Sequence, residues 1–141
     1  KELVEKLAQV LSNLGVQRGL SVCGSDGLDE ITVTGPTHCC EIRDGKLTSF
    51  DITPEQFGLG TYELKEIIGG TPDENAQITK NILSGKEQGA KRDIVLMNAG
   101  LGIYVGRDDI SMEDAVKLAA EMIDSGKAYE KMQQFVAATL C

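Results

Sequence analysis

The chain has 141 residues, 41% hydrophobic and 26% charged, with a formal charge of −8 and a pI near 4.6. This is the size and mix of one globular domain, able to bury roughly two-thirds of the surface its unfolded form exposes, with no apolar run long enough to cross a bilayer. The acidic field repels phosphate backbones, so general nucleic-acid binding is disfavoured and a phosphate-bearing ligand needs local help such as a metal ion.

The first residue is Lys1, with no initiator Met and no basic segment followed by an apolar stretch, so a fragment or processed chain is expected. Leu3, Val4, Leu7, Val10, Leu11 and Leu14 recur at helical spacing, and Gly15 is placed to end that helix in a left-handed conformation. Leu20 to Cys23 is short, apolar and glycine-bounded, which predicts a buried strand of a mainly parallel sheet. The polar loop Gly24-Ser25-Asp26-Gly27-Leu28-Asp29-Glu30 follows, and the alternation of Ile31 to Thr34 predicts another strand, stopped by Gly35-Pro36. His38 to Ile42 and Lys46 to Phe50 flank Asp44-Gly45, a pair that favours a tight antiparallel hairpin turn.

Beyond Pro54 the pattern turns helical. Leu64, Ile67 and Ile68 form a short apolar face, and Thr71-Pro72-Asp73-Glu74 is a capping box that opens a helix over 72–84, stopped at Gly85. Asp93 to Tyr104 is apolar nearly all round and predicts a buried helix, in which Gly100 and Gly102 allow close backbone packing. Ser111 with Asp114 opens a helix carrying Ala115, Val116, Leu118, Ala119, Met122 and Ile123; Gly126 breaks it, and Tyr129 to Leu140 forms a last one. The order predicts an α/β domain: part of a mainly parallel sheet with an antiparallel hairpin, packed by helices.

The loop over 24–30 is the best place for chemistry, because open α/β sheets bind ligands just beyond strand ends. Its glycines let a ligand approach the backbone, and Asp26, Asp29 and Glu30 are hard oxygen donors suited to Mg2+. That ion keeps waters and substrate phosphates, so one or two protein carboxylates suffice. Loop carboxylates are also commonly just solvated, and the residues by themselves leave both readings open. Cys23, Cys39, Cys40 and Cys141 show no CxxC pair or disulfide spacing, which fits a reducing cytoplasm. His38-Cys39-Cys40 hints at zinc without a second ligand cluster, and His38, the one histidine, is the sole imidazole available as a general base.

In chain order, the loop 24–30, Gly35-Pro36-Thr37, the run Asp51 to Leu59, Gly69-Gly70 with Glu74-Asn75-Ala76, Gly89 to Asp93, Met97-Asn98-Ala99-Gly100 and Ile123 to Ala128 resemble the anthranilate phosphoribosyltransferase family. The resemblance covers almost the whole chain. It implies that residues 1–141 are the C-terminal part of that enzyme's α/β domain, with the N-terminal helical domain, the glycine-rich diphosphate loop and the anthranilate-binding residues in sequence absent here. It implies transfer of the phosphoribosyl group from phosphoribosyl diphosphate to anthranilate, releasing diphosphate, in tryptophan biosynthesis. Asp29 and Glu30 match the family's Asp-Glu pair that binds Mg2+ on the diphosphate. A cytoplasmic homodimer is expected, with no catalytic residue in this portion and no activity from it alone. Two departures stand out: Cys23 where the family usually has histidine, and Leu101-Gly102 in place of an alanine-like pair. A related pyrimidine nucleoside phosphorylase, and a non-catalytic relative binding nucleic acid or protein, are the alternatives.

Overall fold

A computed structural model describes residues 2–139. In order, the elements are α1 (Val4–Asn13), β1 (Arg18–Gly24), β2 (Thr37–Arg43), β3 (Lys46–Ile52), a 3-10 turn (Pro54–Phe57), α2 (Leu64–Ile67), α3 (Pro72–Leu83), α4 (Ala90–Gly106), α5 (Met112–Asp124) and α6 (Lys127–Thr139). Leu140 and Cys141, to which the last predicted helix and one cysteine extend, lie outside the described residues.

The strands form one sheet in the order β1-β2-β3. The hairpin is as the sequence predicts: Asp44 and Gly45 take φ of +50° and +78°, the mirror-image turn that matches strand twist, and Arg43 pairs with Lys46. The parallel character expected of the sheet is absent from these three strands, since β1 also pairs antiparallel with β2, Cys23 facing His38. The reason is the connection: parallel neighbours need a crossover, usually a helix, and residues 25–36 contain none.

The predicted strand at Ile31 to Thr34 is a loop segment. Its alternation reflects burial, with Ile31 at 3% and Val33 at 0% exposure, but its main chain bonds outside any ladder: the Thr32 N–H to Thr37 Oγ1 at 3.0 Å, and the Val33 carbonyl to the Tyr62 N–H at 2.9 Å.

Alternate residues of β2 separate the two cores. Cys39 joins Ile31, Val33, Ile52 and the helical residues Leu96, Met97, Leu101, Val116 and Ile123 in the main core. Cys40 and Ile42 pack with Val4 and Ala8 of α1 in a smaller core on the other face. The sheet is thus a middle layer between α1 and the α4–α5 pair. Gly100 permits the α4–α5 contact, since a Cβ there would stand 2.6 Å from the Val116 Cα, whereas at Gly102 it would meet nothing within 4 Å.

Helix caps follow the sequence. The Glu74 N–H donates to Thr71 Oγ1, with Pro72 as the first helical residue, and the Asp114 N–H donates to Ser111 Oγ at 3.1 Å. In α1 the apolar stripe is turned differently from expectation. Val4 and the small Ala8 meet the sheet, while Leu3, Leu7, Val10, Leu11 and Leu14 remain 38–77% exposed.

Candidate functional site

The loop after β1 is built on one carboxylate. Asp26 Oδ2 accepts from the hydroxyls of Thr32 and Thr34, each at 2.6 Å, and its Oδ1 accepts from the Leu28 N–H at 3.1 Å. Burial pushes this carboxyl upward, but the bonds from Thr32, Thr34 and the Leu28 N–H outweigh it and hold the group below the ordinary aspartate value. The turn closes through the Gly24 N–H to the Leu28 carbonyl at 2.9 Å. Only glycine fits at 24, because a Cβ there would lie 2.5 Å from Asp26 Oδ1 and 3.0 Å from the Thr32 methyl. Asp26, grouped by sequence with the metal donors, is therefore committed to loop structure.

Asp29 and Glu30 stand at the outer part of the same loop, and both are exposed. Among the described residues neither carboxylate makes a described ion pair or hydrogen bond. On their two sides the main chain is fixed, at Leu28 by the Asp26 turn and at Ile31 by Asn98 of α4. The Ile31 N–H donates to Asn98 Oδ1 at 3.1 Å, and Asn98 Nδ2 donates to the Ile31 carbonyl at 2.7 Å. Two adjacent, uncommitted oxygen donors in a braced loop fit a hard divalent cation that takes its remaining ligands from phosphate and water. No group of three His, Cys, Asp or Glu residues among the described residues converges on a point that could hold a metal, so the described residues do not cage an ion by themselves.

A cavity of about 400 Å3 lies beside the first half of the loop, lined by Cys23, Gly24, Ser25, Gly27, Pro36, His38 and Asp51. Neither Asp29 nor Glu30 lines it. His38 sits between two carboxylates, with Nδ1 2.5 Å from Asp51 Oδ1 and Nε2 2.6 Å from Glu5 Oε1. Ionised carboxylates only accept, so both ring nitrogens serve as donors and no lone pair is left to take a proton. The histidine ties α1 to β3 through β2 and is not poised as a general base. Its hydrogen bond holds the Glu5 carboxyl below the usual glutamate range, with help from the Glu5 backbone.

The zinc possibility is also closed. Cys39 and Cys40 belong to cores on opposite faces and so cannot converge on one ion, while burial, with Asp51 and Cys40 nearby, pushes the Cys39 thiol up to about 12. Asn98, Thr32 and Thr34 escaped the sequence reading. The available signal was Asn98 itself, the one polar residue in the run Ile94 to Ile103 of α4.

With the geometry in place, the chain can be set beside known proteins. A family model described as the a/b domain of the glycosyl transferase family matches residues 1–129. The anthranilate phosphoribosyltransferase of Endomicrobium trichonymphae is 50% identical over 139 residues, 99% of this chain and 41% of that protein. Of solved structures, anthranilate phosphoribosyltransferase from Thermus thermophilus superposes with a TM-score of 0.88 at 37% identity, covering 96% of this chain and 40% of that one. The Saccharomyces cerevisiae enzyme in complex with PRPP and Mg gives a TM-score of 0.88 at 29% identity, covering 97% and 40%. The chain thus spans about two-fifths of the length of the relatives it matches.

Proposed function

This chain belongs to the glycosyl transferase family, whose a/b domain it carries, and we propose that residues 1–141 are the C-terminal part of the α/β domain of an anthranilate phosphoribosyltransferase. In that reaction the anthranilate nitrogen bonds to C1 of phosphoribosyl diphosphate, the C1–O bond to diphosphate breaks with its electron pair leaving on oxygen, and the amine gives up a proton. The proposed role of Asp29 and Glu30 is to hold Mg2+ on the diphosphate. The observation that carries the reading is that these neighbouring carboxylates are exposed and without a described protein partner, in a loop whose third carboxylate, Asp26, is fully engaged.

Negative charge collects on the departing diphosphate as the sugar becomes cation-like, and a bound Mg2+ supplies several kcal/mol of charge stabilisation there. The chain's own residues act around that event: Asp26, Thr32 and Thr34 shape the loop, and Asp29 and Glu30 offer the ligands. The diphosphate loop and anthranilate site belong to sequence beyond this chain in our reading, so this portion holds no catalytic residue and is inactive alone. Cys39 and Cys40 form no disulfide, and no helix among the described residues is long and apolar enough to cross a membrane. A cytoplasmic homodimer is what the family likeness leads us to infer.

The test is the Asp29→Asn/Glu30→Gln double variant of the complete enzyme. Magnesium-dependent turnover of anthranilate should fall at least about a hundredfold, since ~1.4 kcal/mol is tenfold in rate, while the melting temperature holds. Undiminished turnover rejects the assignment. Phosphorolysis of a pyrimidine nucleoside in place of phosphoribosyl transfer would reassign the substrate, and salt-sensitive DNA binding without phosphoribosyl diphosphate binding would favour a non-catalytic relative.

A further inference from the structure

Asp29 and Glu30 form a bridge of two residues between two anchored points. On the N-terminal side the anchor is local, the Gly24–Leu28 turn locked by Asp26. On the C-terminal side it is remote. Asn98, 67 residues away, engages both main-chain groups of Ile31, as a neighbouring strand would. The orientation of its amide is dictated by chemistry: the Ile31 N–H needs the oxygen and the Ile31 carbonyl needs the nitrogen. The other N–H of Asn98 donates to the carbonyl of Ile94 at 3.0 Å, one turn earlier in α4, so the amide is pinned to its own helix as well.

The helix is itself held firmly. Met97 is fully buried beside Asn98, and Gly100 lets α4 press against the backbone of Val116 in α5. The side chain of Ile31 enters the same main core at 3% exposure. Asparagine is a poor residue for a helix interior, where its side chain competes with the backbone ladder. Here that side chain transfers the rigidity of the α4–α5 pair to the residue directly after Glu30.

We propose that Asn98 is a positioning residue for the metal site, fixing through Ile31 the place from which Asp29 and Glu30 reach the cation. The inference rests on the metal reading of those two carboxylates and adds to it a residue that touches neither metal nor substrate. It separates affinity from chemistry. Loosening the bridge spreads the two carboxylates over more conformations, so ordering them costs binding free energy, yet once the site is filled the same ligands are in place.

The experiment uses the complete enzyme with Mn2+ as the probe in the presence of inorganic diphosphate, free Mn2+ being followed by electron paramagnetic resonance. Asn98→Ala should weaken Mn2+ binding about tenfold, equivalent to ~1.4 kcal/mol. The Mg2+ concentration for half-maximal turnover should rise in parallel, with kcat at saturating Mg2+ staying within about twofold. A purely structural asparagine would lower the melting temperature without moving metal affinity, and that result overturns the proposal. So does a fall in kcat at unchanged affinity. Should the alanine variant fail to fold, Asn98→Gln keeps the amide but displaces it by one methylene, and the same outcomes apply to it. The Asp29→Asn/Glu30→Gln enzyme is the control. If that pair leaves Mn2+ binding intact, the metal reading falls and this inference with it; if it abolishes binding while the Asn98 variants bind normally, only the inference falls.

Discussion

The inner and outer arcs of the loop after β1 treat the same functional group in opposite ways. On the inner arc the Asp26 carboxylate takes hydrogen bonds from two threonine hydroxyls and a main-chain N–H, and it is held below its ordinary value. Three and four residues further on, Asp29 and Glu30 are exposed and have no described protein partner. A carboxylate whose acceptor sites are filled stabilises the fold, and one whose sites are open is available to a ligand. On the proposed function, the loop therefore has a rigid half engaged with itself and an open half, offered to the cation, that depends on the rigid one.

The sharpest way to break this division is to exchange the two effects. Asp29→Asn/Glu30→Gln should cost at least about a hundredfold in turnover of the complete enzyme and leave stability within about 0.5 kcal/mol, as expected of surface changes. Paired urea titrations and rate assays check both halves. A large stability loss would show that the outer arc is structural after all. Next in size is the support beneath the loop. Gly100→Ala forces a methyl against the Val116 backbone and should destabilise by about 3 kcal/mol, the upper end of overpacking costs; an unchanged melting temperature would mean that α4 and α5 slide apart freely. Asp26→Ala removes the acceptor of three hydrogen bonds and should cost about 2 kcal/mol. The metal affinity of that variant should fall too, because the outer arc loses one of its two anchors.

What the sequence made legible is local. Asp44-Gly45 specifies its own turn, and Thr71-Pro72-Asp73-Glu74 caps its own helix, because each signal and its partner lie within a few residues. The segment at Ile31 to Thr34 shows the converse. Its alternation predicts a strand, yet its bonding partners are Thr37, Tyr62 and Asn98, the last far off in sequence. Periodicity reports burial and is silent about which group satisfies the backbone. The pairing direction of β1 was hidden for a similar reason, since an apolar strand reads alike in either direction and only the helix-free connection to β2 decides its pairing. In α1 the repeat was visible, but the face that meets the sheet turned out to be Val4 and Ala8, with the larger leucines outward. As for the site, composition could not rank three acids in seven residues. Likeness to the family singled out Asp29 and Glu30 as the proposed ligands, and the hydrogen bonds show that Asp26 is already engaged within the loop.

The smallest expected effect is the acid dependence of the inner arc, and its sign follows from linkage. Asp26 is depressed in the folded state below its ordinary value of 3.8. Above that value the group is ionised in both folded and unfolded chains, and its stabilising contribution is complete. As pH falls through 3.8 the unfolded chain takes up the proton first, and the contribution drains away until the folded carboxyl is protonated too. Glu5, Glu55, Glu74, Asp109 and Asp114 are depressed as well, so the total acid slope is shared and only a difference isolates Asp26. Urea midpoints of the parent and of Asp26→Asn, followed from pH 6 down to pH 3, should therefore converge below about pH 4. Curves that stay parallel over that range would mean that Asp26 contributes through its shape and not through its charge, and the contrast between the two arcs would lose its electrostatic basis.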